Sequence, residues 1–264
     1  MKYIDVSEWQ GVIDWEKVKP NIDGAILRAG WGKNNLDRRF AYNASECNRL
    51  GIPCGAYWFS YAKTAEEAKN EALYLIRAVS PYRMELPLAF DFEYDSVTSA
   101  ANQGVKITKE LASEFLWQFG DTVEEEGYWC LNYTSPDFLS KYYGDTTTER
   151  FGLWIAAWPA AKKIDLSKPP RKCDIWQWTS KGSIPGISGN VDINESYTDF
   201  PKIIKDMELN HLGPAPSLEP VQEVEPDPIE ELARSIGLNL DAPDAPITCI
   251  ELARILYKFE EEVR

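Results

Sequence analysis

Residues 86–93 read Leu-Pro-Leu-Ala-Phe-Asp-Phe-Glu, an apolar run that ends in two acids. The run predicts a short buried strand with Asp91 and Glu93 at its carboxyl end. Successive side chains of a strand point to opposite faces, so the two acids share one face and Phe90 and Phe92 share the other, where we expect core packing. Because like charges disfavour each other's ionisation, we expect one acid to hold a proton near neutral pH.

Seven more apolar or β-branched runs lie on either side of this one. The eight candidate strands cover residues 3–6, 24–29, 54–60, 86–92, 128–133, 152–158, 173–178 and 189–193. Helical spacing of apolar residues fills early gaps, as over 64–79 and 108–125. This alternation predicts an α/β fold with a parallel sheet, closed as a TIM-like β/α barrel. The late gaps are short and rich in proline and glycine, so we expect an irregular barrel with its late helices missing.

Two further aspartates are predicted at the same rim as Asp91 and Glu93. Asp5 lies in the first candidate strand and Asp192 in the last, and these strands become neighbours when the barrel closes. A lone acid at a strand end is most simply a helix cap or a solvated turn. Four acids at the end of a barrel that carries active sites instead indicate chemistry, and a proton donor beside a carboxylate is what glycosidic cleavage requires.

Aromatic residues supply a second signal, because sugar rings stack on aromatic faces. The candidates for this role are Tyr57, Phe59, Tyr133, Trp154, Trp158, Trp176 and Trp178. A barrel of this size also buries aromatics for packing alone, and we favour that reading for Trp176. Arg28, inside an apolar strand, is expected to pair with a rim carboxylate or to bind a sugar.

Composition excludes several classes of function. The formal net charge of −14 argues against nucleic acid as a partner, and no run approaches the roughly 18 apolar residues of a membrane span, so no membrane insertion is expected. The only histidine, His211, lies in a predicted linker, which argues against histidine triads and most zinc hydrolase schemes. We therefore expect no metal and no cofactor.

Cysteine usage and the first residues bear on the compartment. Five widely spaced cysteines favour buried free thiols over a disulfide framework. Residues 1–6 resemble a strand and not a secretory leader. We expect synthesis in the cytoplasm without a signal peptide and, if the substrate lies outside the membrane, release by lysis, a holin-type pore or another non-classical route.

Several motifs in order along residues 1–206 resemble glycoside hydrolase family 25, whose members are muramidases (lysozymes), many of them phage endolysins. The motifs are Ile-Asp-Val-Ser-Glu-Trp-Gln-Gly at 4–11, Ile-Leu-Arg-Ala-Gly at 26–30, Gly-Ala-Tyr-Trp-Phe-Ser at 55–60, Phe-Asp-Phe-Glu at 90–93, Leu-Trp-Ile-Ala at 153–156 and Trp-Gln-Trp at 176–178. The resemblance implies a peptidoglycan hydrolase that cuts the β-1,4 bond between N-acetylmuramic acid and N-acetylglucosamine with retention. Peptidoglycan glycan strands are the partner it implies.

The resemblance also implies roles for individual residues. Glu93 matches the general acid/base and Asp91 its partner carboxylate, which either attacks the anomeric carbon or orients the substrate's acetamido group. Asp5 and Asp192 match flanking acids, and Tyr57, Phe59, Tyr133 and Gln177 fall where the family lines its cleft. The chain departs from the family at Trp58, where histidine is frequent.

Three rival functions remain to be weighed. A family 18 chitinase would need an acid at Ala89, and a non-catalytic glycan-binding barrel would normally lack Glu93 or its neighbours. A purely structural interaction protein finds its best support in the carboxyl-terminal part of the chain.

That carboxyl-terminal part differs from the barrel in composition. We predict a catalytic barrel at 1–208, a Pro/Glu-rich linker at 209–228 and a small helical module at 229–264. Residues 245–257 resemble the second helix of an S-layer-homology wall-binding module, although Cys249 and Ile250 interrupt its Thr-Arg-Ala-Glu motif. The expected partner of 229–264 is a cell-wall polymer or a second copy of the chain, with docking on the barrel as the alternative.

Overall fold

Nine strands form one sheet in the computed structural model, which describes residues 1–143, 150–160 and 164–212. The strands are β1 (Lys2–Val6), β2 (Gly24–Trp31), β3 (Asn35–Leu36), β4 (Cys54–Phe59), β5 (Leu88–Asp91), β6 (Cys130–Thr134), β7 (Gly152–Ala156), β8 (Ile175–Gly182) and β9 (Val191–Ser196). All except β3 close into an eight-stranded barrel in the order β1-β2-β4-β5-β6-β7-β8-β9, with β9 back beside β1. The predicted irregular barrel is confirmed, and only the two-residue β3 was not predicted.

Seven α-helices accompany the strands in the described part of the chain. They are α1 (Trp15–Val18), α2 (Phe40–Leu50), α3 (Ala65–Val79), α4 (Tyr94–Asn102), α5 (Lys109–Glu125), α6 (Pro136–Tyr142) and α7 (Phe200–Asp206). The two long helices begin where a threonine side chain accepts a backbone N–H, from Glu67 to Thr64 and from Leu111 to Thr108. The predicted helices at 64–79 and 108–125 are therefore confirmed to within a residue.

The expectation of an all-parallel sheet is wrong at its last strand. β9 runs antiparallel to both β8 and β1, whereas the other barrel strands pair in parallel. Residues 183–190 alone connect β8 to β9, and a parallel crossover needs a dozen or more residues. The short connection therefore forces a hairpin, and β8 extends to Gly182 to pair with it.

After β7, the described residues of the next two connections contain no helix, as expected for a barrel with late helices missing. Residues 157–160 and 164–174, between β7 and β8, contain no helix, and neither does the connection from β8 to β9. The helices instead cover the early strands, and α3 packs extensively against α5.

The apolar core has two layers, one on each side of the sheet. Phe90 and Phe92 lie outside the barrel beneath α5, with their rings stacked at 5.9 Å, and both are fully buried. Trp176 is also buried, so the expectation of core packing is confirmed for all three. Inside the barrel, Phe200 and Ile204 of α7 pack against residues such as Tyr3 near the strand starts, so α7 closes the amino-terminal end.

The barrel continues past the boundary expected at residue 208. Asn210 is buried, and its side chain donates to the carbonyl oxygens of Met84 and Leu86 and accepts from the Trp129 amide. His211 packs edge-on against Tyr128. Residues 209–212 thus belong to the barrel, because they hold the loops that lead into β5 and β6. The rest of the predicted linker and the module at 229–264 lie outside the described residues.

Cysteine state and hydropathy add two observations. Cys47, Cys54 and Cys130 are buried free thiols and Cys173 is a half-buried one, as expected for these four. Cys249 lies outside the described residues. Within the described part of the chain, no helix is both long enough and apolar enough to cross a membrane.

Candidate active site

A cavity of about 540 Å³ opens at the carboxyl-terminal end of the parallel strands. Eleven of the residues singled out from the sequence line it, namely Asp5, Arg28, Tyr57, Phe59, Asp91, Glu93, Tyr133, Trp154, Trp158, Gln177 and Asp192. The structure therefore brings together four carboxyls, one guanidinium and a set of aromatic rings in a single cleft.

The period-two geometry of the strands explains this convergence. In β5, Ala89 points into the barrel and Asp91 follows it on the same face, at the rim. In β2, Ile26 and Arg28 stand in the same relation. An apolar layer inside the barrel is thus followed, two residues later, by a polar layer that faces solvent.

Asp192 reaches the rim from the opposite direction. Because β9 is antiparallel, Asp192 lies near its start, and its Cα is the register partner of Asp5 in β1. The direction of the strand was mispredicted, yet the predicted neighbourhood of Asp5 and Asp192 is correct. An antiparallel strand brings its amino-terminal end to the rim where its parallel neighbours end.

Asp5 is the most fully hydrogen-bonded acid of the cleft. Its Oδ2 accepts from Gln177 Nε2 and from Asn194 Nδ2, both at 2.9 Å. Gln177 Oε1 in turn accepts from the Tyr133 hydroxyl and from the Trp158 indole N–H, both at 3.1 Å. Gln177 thereby links an acid on β1 to aromatic side chains on two other walls of the cleft.

Burial, reinforced by neighbouring acids, raises the pKa values of both Asp91 and Glu93, so the pair retains a proton near neutral pH. Burial raises the pKa of Asp91 well above its usual range, and the Glu93 carboxylate raises it further. Burial raises the pKa of Glu93 to about 7, with a further contribution from Asp95. The expectation of a retained proton rested on charge repulsion alone, whereas burial is the larger cause of both pKa shifts.

The pKa values of the two flanking acids, Asp5 and Asp192, are also raised, by different amounts. Burial, with Asp192 nearby, raises the pKa of Asp5 to about 8 against the opposing effect of its amide donors. Burial raises the pKa of Asp192 to about 6. Four carboxyls in one cleft thus ionise above their ordinary range, which gives the site both proton donors and carboxylates near neutral pH.

Arg28 does not pair with any of these four acids. Its Nε donates to Asp37 Oδ2 at 2.8 Å, and one of its terminal nitrogens donates to Glu8 Oε1 at 3.3 Å. Its guanidinium also lies over the Trp31 ring, 5.0 Å from the centroid. Arg28 still lines the cleft, and it lowers the pKa of Asp91, opposing the larger effect of burial.

Tyr57, Tyr133 and Trp154 form an aromatic floor under the acids. Trp154 packs edge-on against Tyr57 at 6.1 Å and against Tyr133 at 4.6 Å. Its indole N–H donates to Asn194 Oδ1 at 2.7 Å, and the side chain is 1% exposed. Trp154 therefore contributes little surface to the cleft and mainly fixes the residues around it.

Sequence reasoning missed Trp9 and Asn194, whereas Trp158 was among its aromatic candidates. Trp9 and Trp158 line the cleft and are 78% and 58% exposed, while Asn194 holds Asp5 from below. Asn194 could have been found by alternation, since it lies two residues after Asp192 in β9. Trp9 lies in a short 3-10 turn, Glu8–Gln10, whose direction no strand or helix period predicts.

Trp58 does not face the cleft. It alternates with Tyr57 and Phe59 along β4, so its side chain lies on the outer face, fully buried, with its indole N–H donated to the Gly32 carbonyl at 3.1 Å. A Cβ on Gly30 would approach this ring to 2.6 Å, so glycine there allows the tryptophan to fit. The residue at this position therefore belongs to the outer packing of the barrel and not to the cleft surface.

No cluster of three or more metal-ligating side chains with suitable geometry occurs among residues 1–143, 150–160 and 164–212. What the described cleft offers is proton donors, carboxylates and exposed indoles. This set can protonate a leaving oxygen and stabilise positive charge beside it.

A closed β/α barrel with acids at its catalytic rim is the form taken by many carbohydrate-active proteins, and the comparisons with known proteins identify the family. The model for glycosyl hydrolases family 25 matches residues 4–187. This match takes in more than half of the chain, and the chain belongs to that family.

Individual relatives agree with this assignment. Lysozyme M1 of Streptomyces globisporus is 26% identical over 73% of this chain and 66% of its own length. The autolytic lysozyme of Clostridium acetobutylicum is 24% identical over 74% of this chain and 55% of its own. The chain thus spans less than two thirds of the length of these curated relatives.

Solved structures share the architecture. A family 25 glycosyl hydrolase from Bacillus anthracis superposes with a TM-score of 0.62, at 27% identity, over 75% of this chain and 89% of that one. The modular autolysin LytC of Streptococcus pneumoniae, in complex with a synthetic peptidoglycan ligand, gives a TM-score of 0.61 at 29% identity over 73% of this chain and 46% of that one.

Proposed function

We propose that this chain is a peptidoglycan muramidase that cleaves the β-1,4 bond from N-acetylmuramic acid to N-acetylglucosamine. The observation that carries the proposal is the pairing of Asp91 and Glu93 in one cleft, with a pKa of about 7 at Glu93. The ligand of the similar autolysin LytC, a synthetic peptidoglycan, supports the substrate class.

In the proposed reaction Glu93 is the general acid/base. Its half-buried carboxyl lines the cleft at the amino-terminal end of α4 and, with a raised pKa, holds a proton for the leaving glycosidic oxygen. After the leaving group departs, the same carboxylate removes a proton from the incoming water. Retention requires two successive displacements at the anomeric carbon. The bond to the leaving oxygen is replaced first by a bond to Asp91 or to the substrate's acetamido oxygen, and then by a bond to the water that Glu93 deprotonates.

Asp91 stabilises the positive charge that develops at the anomeric carbon. It is buried at the end of β5, next to Glu93, and Phe59 and Tyr133 are its register partners on the two adjacent strands. Asp5 and Asp192 adjust the charge of the cleft, and Asp5 is held in place by Gln177 and Asn194. A carboxylate beside an oxocarbenium-like transition state lowers the barrier whether or not a covalent bond forms.

The exposed indoles of Trp9 and Trp158 provide stacking surfaces for sugar rings. Trp9 comes from the turn after β1, whereas Trp158 follows β7, so the two approach the cleft from different strands. Aromatic side chains bury the apolar face of a sugar while its hydroxyls stay hydrogen-bonded. We assign peptidoglycan glycan strands, rather than a small soluble sugar, as the substrate of this open cleft.

The structure also argues against the chitinase alternative. The acid that a family 18 active site would need falls at Ala89, which is buried in the apolar interior of the barrel among Tyr3, Leu131 and Trp154. A carboxyl there would be desolvated, away from the polar layer of the cleft.

Glu93→Gln tests the proposal directly. We expect a folded variant whose rate of wall hydrolysis falls about 10²–10⁴-fold, because the amide cannot donate the catalytic proton. The measurement is mass spectrometry of borohydride-reduced wall digests, in which muramic acid should be the new reducing end. The matched control is Glu114→Gln, on the exposed surface of α5, which should leave the rate unchanged.

Three outcomes would contradict the assignment. Reducing ends on glucosamine would indicate a glucosaminidase, free peptide would indicate an amidase, and undiminished clearing by folded Glu93→Gln would remove Glu93 from the chemistry. An endolysin role for the enzyme stays a prediction from the sequence resemblance.

A further inference from the structure

A buried chain of polar side chains lies behind the rim, outside the cleft. Its members are Ser60, Glu71 and Ser96, which are at most 3% exposed, and none of them lines the cavity that holds the four acids. Burying polar groups costs desolvation energy, which hydrogen bonds to other buried groups offset. The partners of these side chains therefore identify the backbone segments that they hold in place.

Ser96, in the first turn of α4, binds the backbone of the proposed acid. Its hydroxyl oxygen accepts from the Glu93 amide at 3.1 Å and donates its hydrogen to the Ser60 carbonyl at 2.6 Å. A hydroxyl has a single hydrogen, so these two bonds fix its orientation. Glu93 is thereby tied to the turn that follows β4.

Ser60 ties the same turn to the other carboxylate. Its amide donates to the Asp91 carbonyl at 2.7 Å, and its hydroxyl accepts from the Ala62 amide at 3.2 Å. Ser60 is thus bonded to the backbone of Asp91 directly and to that of Glu93 through Ser96. The relative position of the two backbones depends on where residue 60 lies.

Glu71 anchors this turn to α3. Its Oε1 accepts from the Tyr61 amide at 3.0 Å. The nearby Ser60 hydroxyl lowers the pKa of the same carboxyl, against the larger effect of burial. The side chain borders a separate cavity of about 250 Å³, which Tyr61 and Tyr74 also line. Glu71 therefore acts on the turn from the helical layer and has no contact with the substrate cleft.

We propose that Glu71, Ser60 and Ser96 are positioning residues that set the separation between the Asp91 and Glu93 carboxyls. The inference rests on the proposed function. Catalytic groups must be held to within about 0.5 Å, and a displacement of about 1 Å caused by a remote change costs on the order of a hundredfold in rate. A chain of hydrogen bonds to both backbones supplies that constraint without touching substrate.

Asn210 provides a matched control, because it holds the opposite end of the same strand. Its side chain binds the carbonyls of Met84 and Leu86, just before β5, and the amide of Trp129. Asn210→Ala and Ser96→Ala each deprive backbone groups near β5 of hydrogen-bond partners. Asn210→Ala does so at the start of β5, which is remote from the carboxyls of Asp91 and Glu93. A loss of stability alone would make the two variants equivalent.

The test compares Glu71→Leu, Glu71→Gln, Ser96→Ala and Asn210→Ala in the full chain. Steady-state kinetics on soluble peptidoglycan fragments are measured well below each Tm. We expect Glu71→Leu and Ser96→Ala to lower kcat about tenfold or more with KM within about twofold, because the carboxyls are misplaced while binding surfaces persist. Glu71→Gln keeps an acceptor for the Tyr61 amide and should recover most of kcat. Asn210→Ala should lower Tm and leave kcat unchanged.

The inference is overturned if Glu71→Leu and Ser96→Ala keep kcat within twofold of wild type, or if Asn210→Ala lowers kcat as much as they do. Equal losses in Glu71→Gln and Glu71→Leu would also overturn it, because the acceptor at Tyr61 would then be irrelevant. Failure of the wild-type chain to release muramic reducing ends would instead remove the proposed function, and this inference with it. The two failures are therefore distinguishable.

Discussion

Asp5 shows how a single residue can carry a cost for the fold. The carboxyl is buried, and its two amide donors only partly offset the loss of water, so the pKa of Asp5 rises to about 8 from 3.8. In the unfolded chain Asp5 ionises near its ordinary pKa. Between about pH 4 and pH 8 the folded state therefore holds a proton that the unfolded state has released, and stability falls as pH rises through that window.

Asp5→Asn should remove this pH-dependent cost. At pH 8 we expect Tm to rise by about 3–6 °C, the shift that ~1–2 kcal/mol gives in a domain of this size. At pH 4 both side chains are neutral in the folded state, so the two proteins should unfold within about 1 °C of each other. Differential scanning calorimetry at both pH values makes the comparison. A gain of the same size at pH 4 and pH 8 would mean that charge burial is not its cause.

The pKa of Glu93 sets the alkaline limit that we expect for activity. The general acid must be protonated in the free enzyme, and burial together with Asp95 raises its pKa to about 7. We expect kcat/KM to fall about tenfold per pH unit above pH 7. Asp95→Asn removes one of the two causes and should move this limb to lower pH, whereas the exposed Glu114→Gln should not. A limb near the ordinary glutamate range in wild type would contradict the structural assignment.

Alternation along strands made single residues predictable where the face of the strand was known. Asp91 and Glu93 on one side and Phe90 and Phe92 on the other are placed as the sequence indicates. The partners of Arg28 were not predictable in this way. Glu8 and Asp37 reach it from a 3-10 turn and from the segment after β3, and no periodicity relates those positions to β2.

At the scale of elements, the turn Glu8–Gln10 is fixed by charged and capping contacts. Asp37 accepts from Arg28, from the Glu8 amide at 2.9 Å and from the Arg39 amide at 2.8 Å, and its side chain is wholly buried. Ser7 caps the turn by accepting from the Trp9 amide. The exposed indole of Trp9 thus projects from a turn that is held to β2 by the Glu8 side chain and to the segment after β3 by the Glu8 amide.

Asp37→Ala should release this turn. We expect a loss of about 3 kcal/mol, because Arg28 would remain largely buried without its closest carboxylate. KM for glycan fragments should rise by up to about tenfold as Trp9 loses its fixed position. Calorimetry and steady-state kinetics measure the two effects. Arg38→Ala is the control from the same cluster, since Arg38 is 82% exposed, and a similar loss there would contradict the role of burial.

Element order was predictable from the sequence, whereas strand direction was not in every case. The eight runs of apolar residues all became barrel strands, because periodicity reports burial. Periodicity does not report direction, which for β9 is decided by the length of the loop over residues 183–190. The four acids met at one rim regardless, since a strand of either direction can place a side chain there.

At the scale of the whole molecule, composition distinguishes the barrel from the carboxyl-terminal segment. The barrel holds the cleft, whereas residues 209–264 contain much of the acidic excess and were expected to start with a linker. The structure extends the barrel beyond residue 208, because Asn210 is hydrogen-bonded within it. A buried asparagine in a Pro-flanked polar stretch has no signature in the sequence. The role of residues 229–264 in wall binding or self-association stays a prediction.

Truncation tests where the folded unit ends. A chain ending at residue 212 keeps Asn210. A chain ending at 208 leaves the carbonyls of Met84, Leu86 and Gly127 and the amide of Trp129 without their bonds to Asn210. Buried backbone groups left without partners cost about 1–3 kcal/mol each. We therefore expect the 1–208 chain to unfold at least about 10 °C below the 1–212 chain, with calorimetry as the measurement. Equal Tm values would show that the barrel does not need residues 209–212. Wall hydrolysis by the 1–212 chain at the same molar rate as the full chain would confirm that residues 1–212 contain the whole catalytic unit.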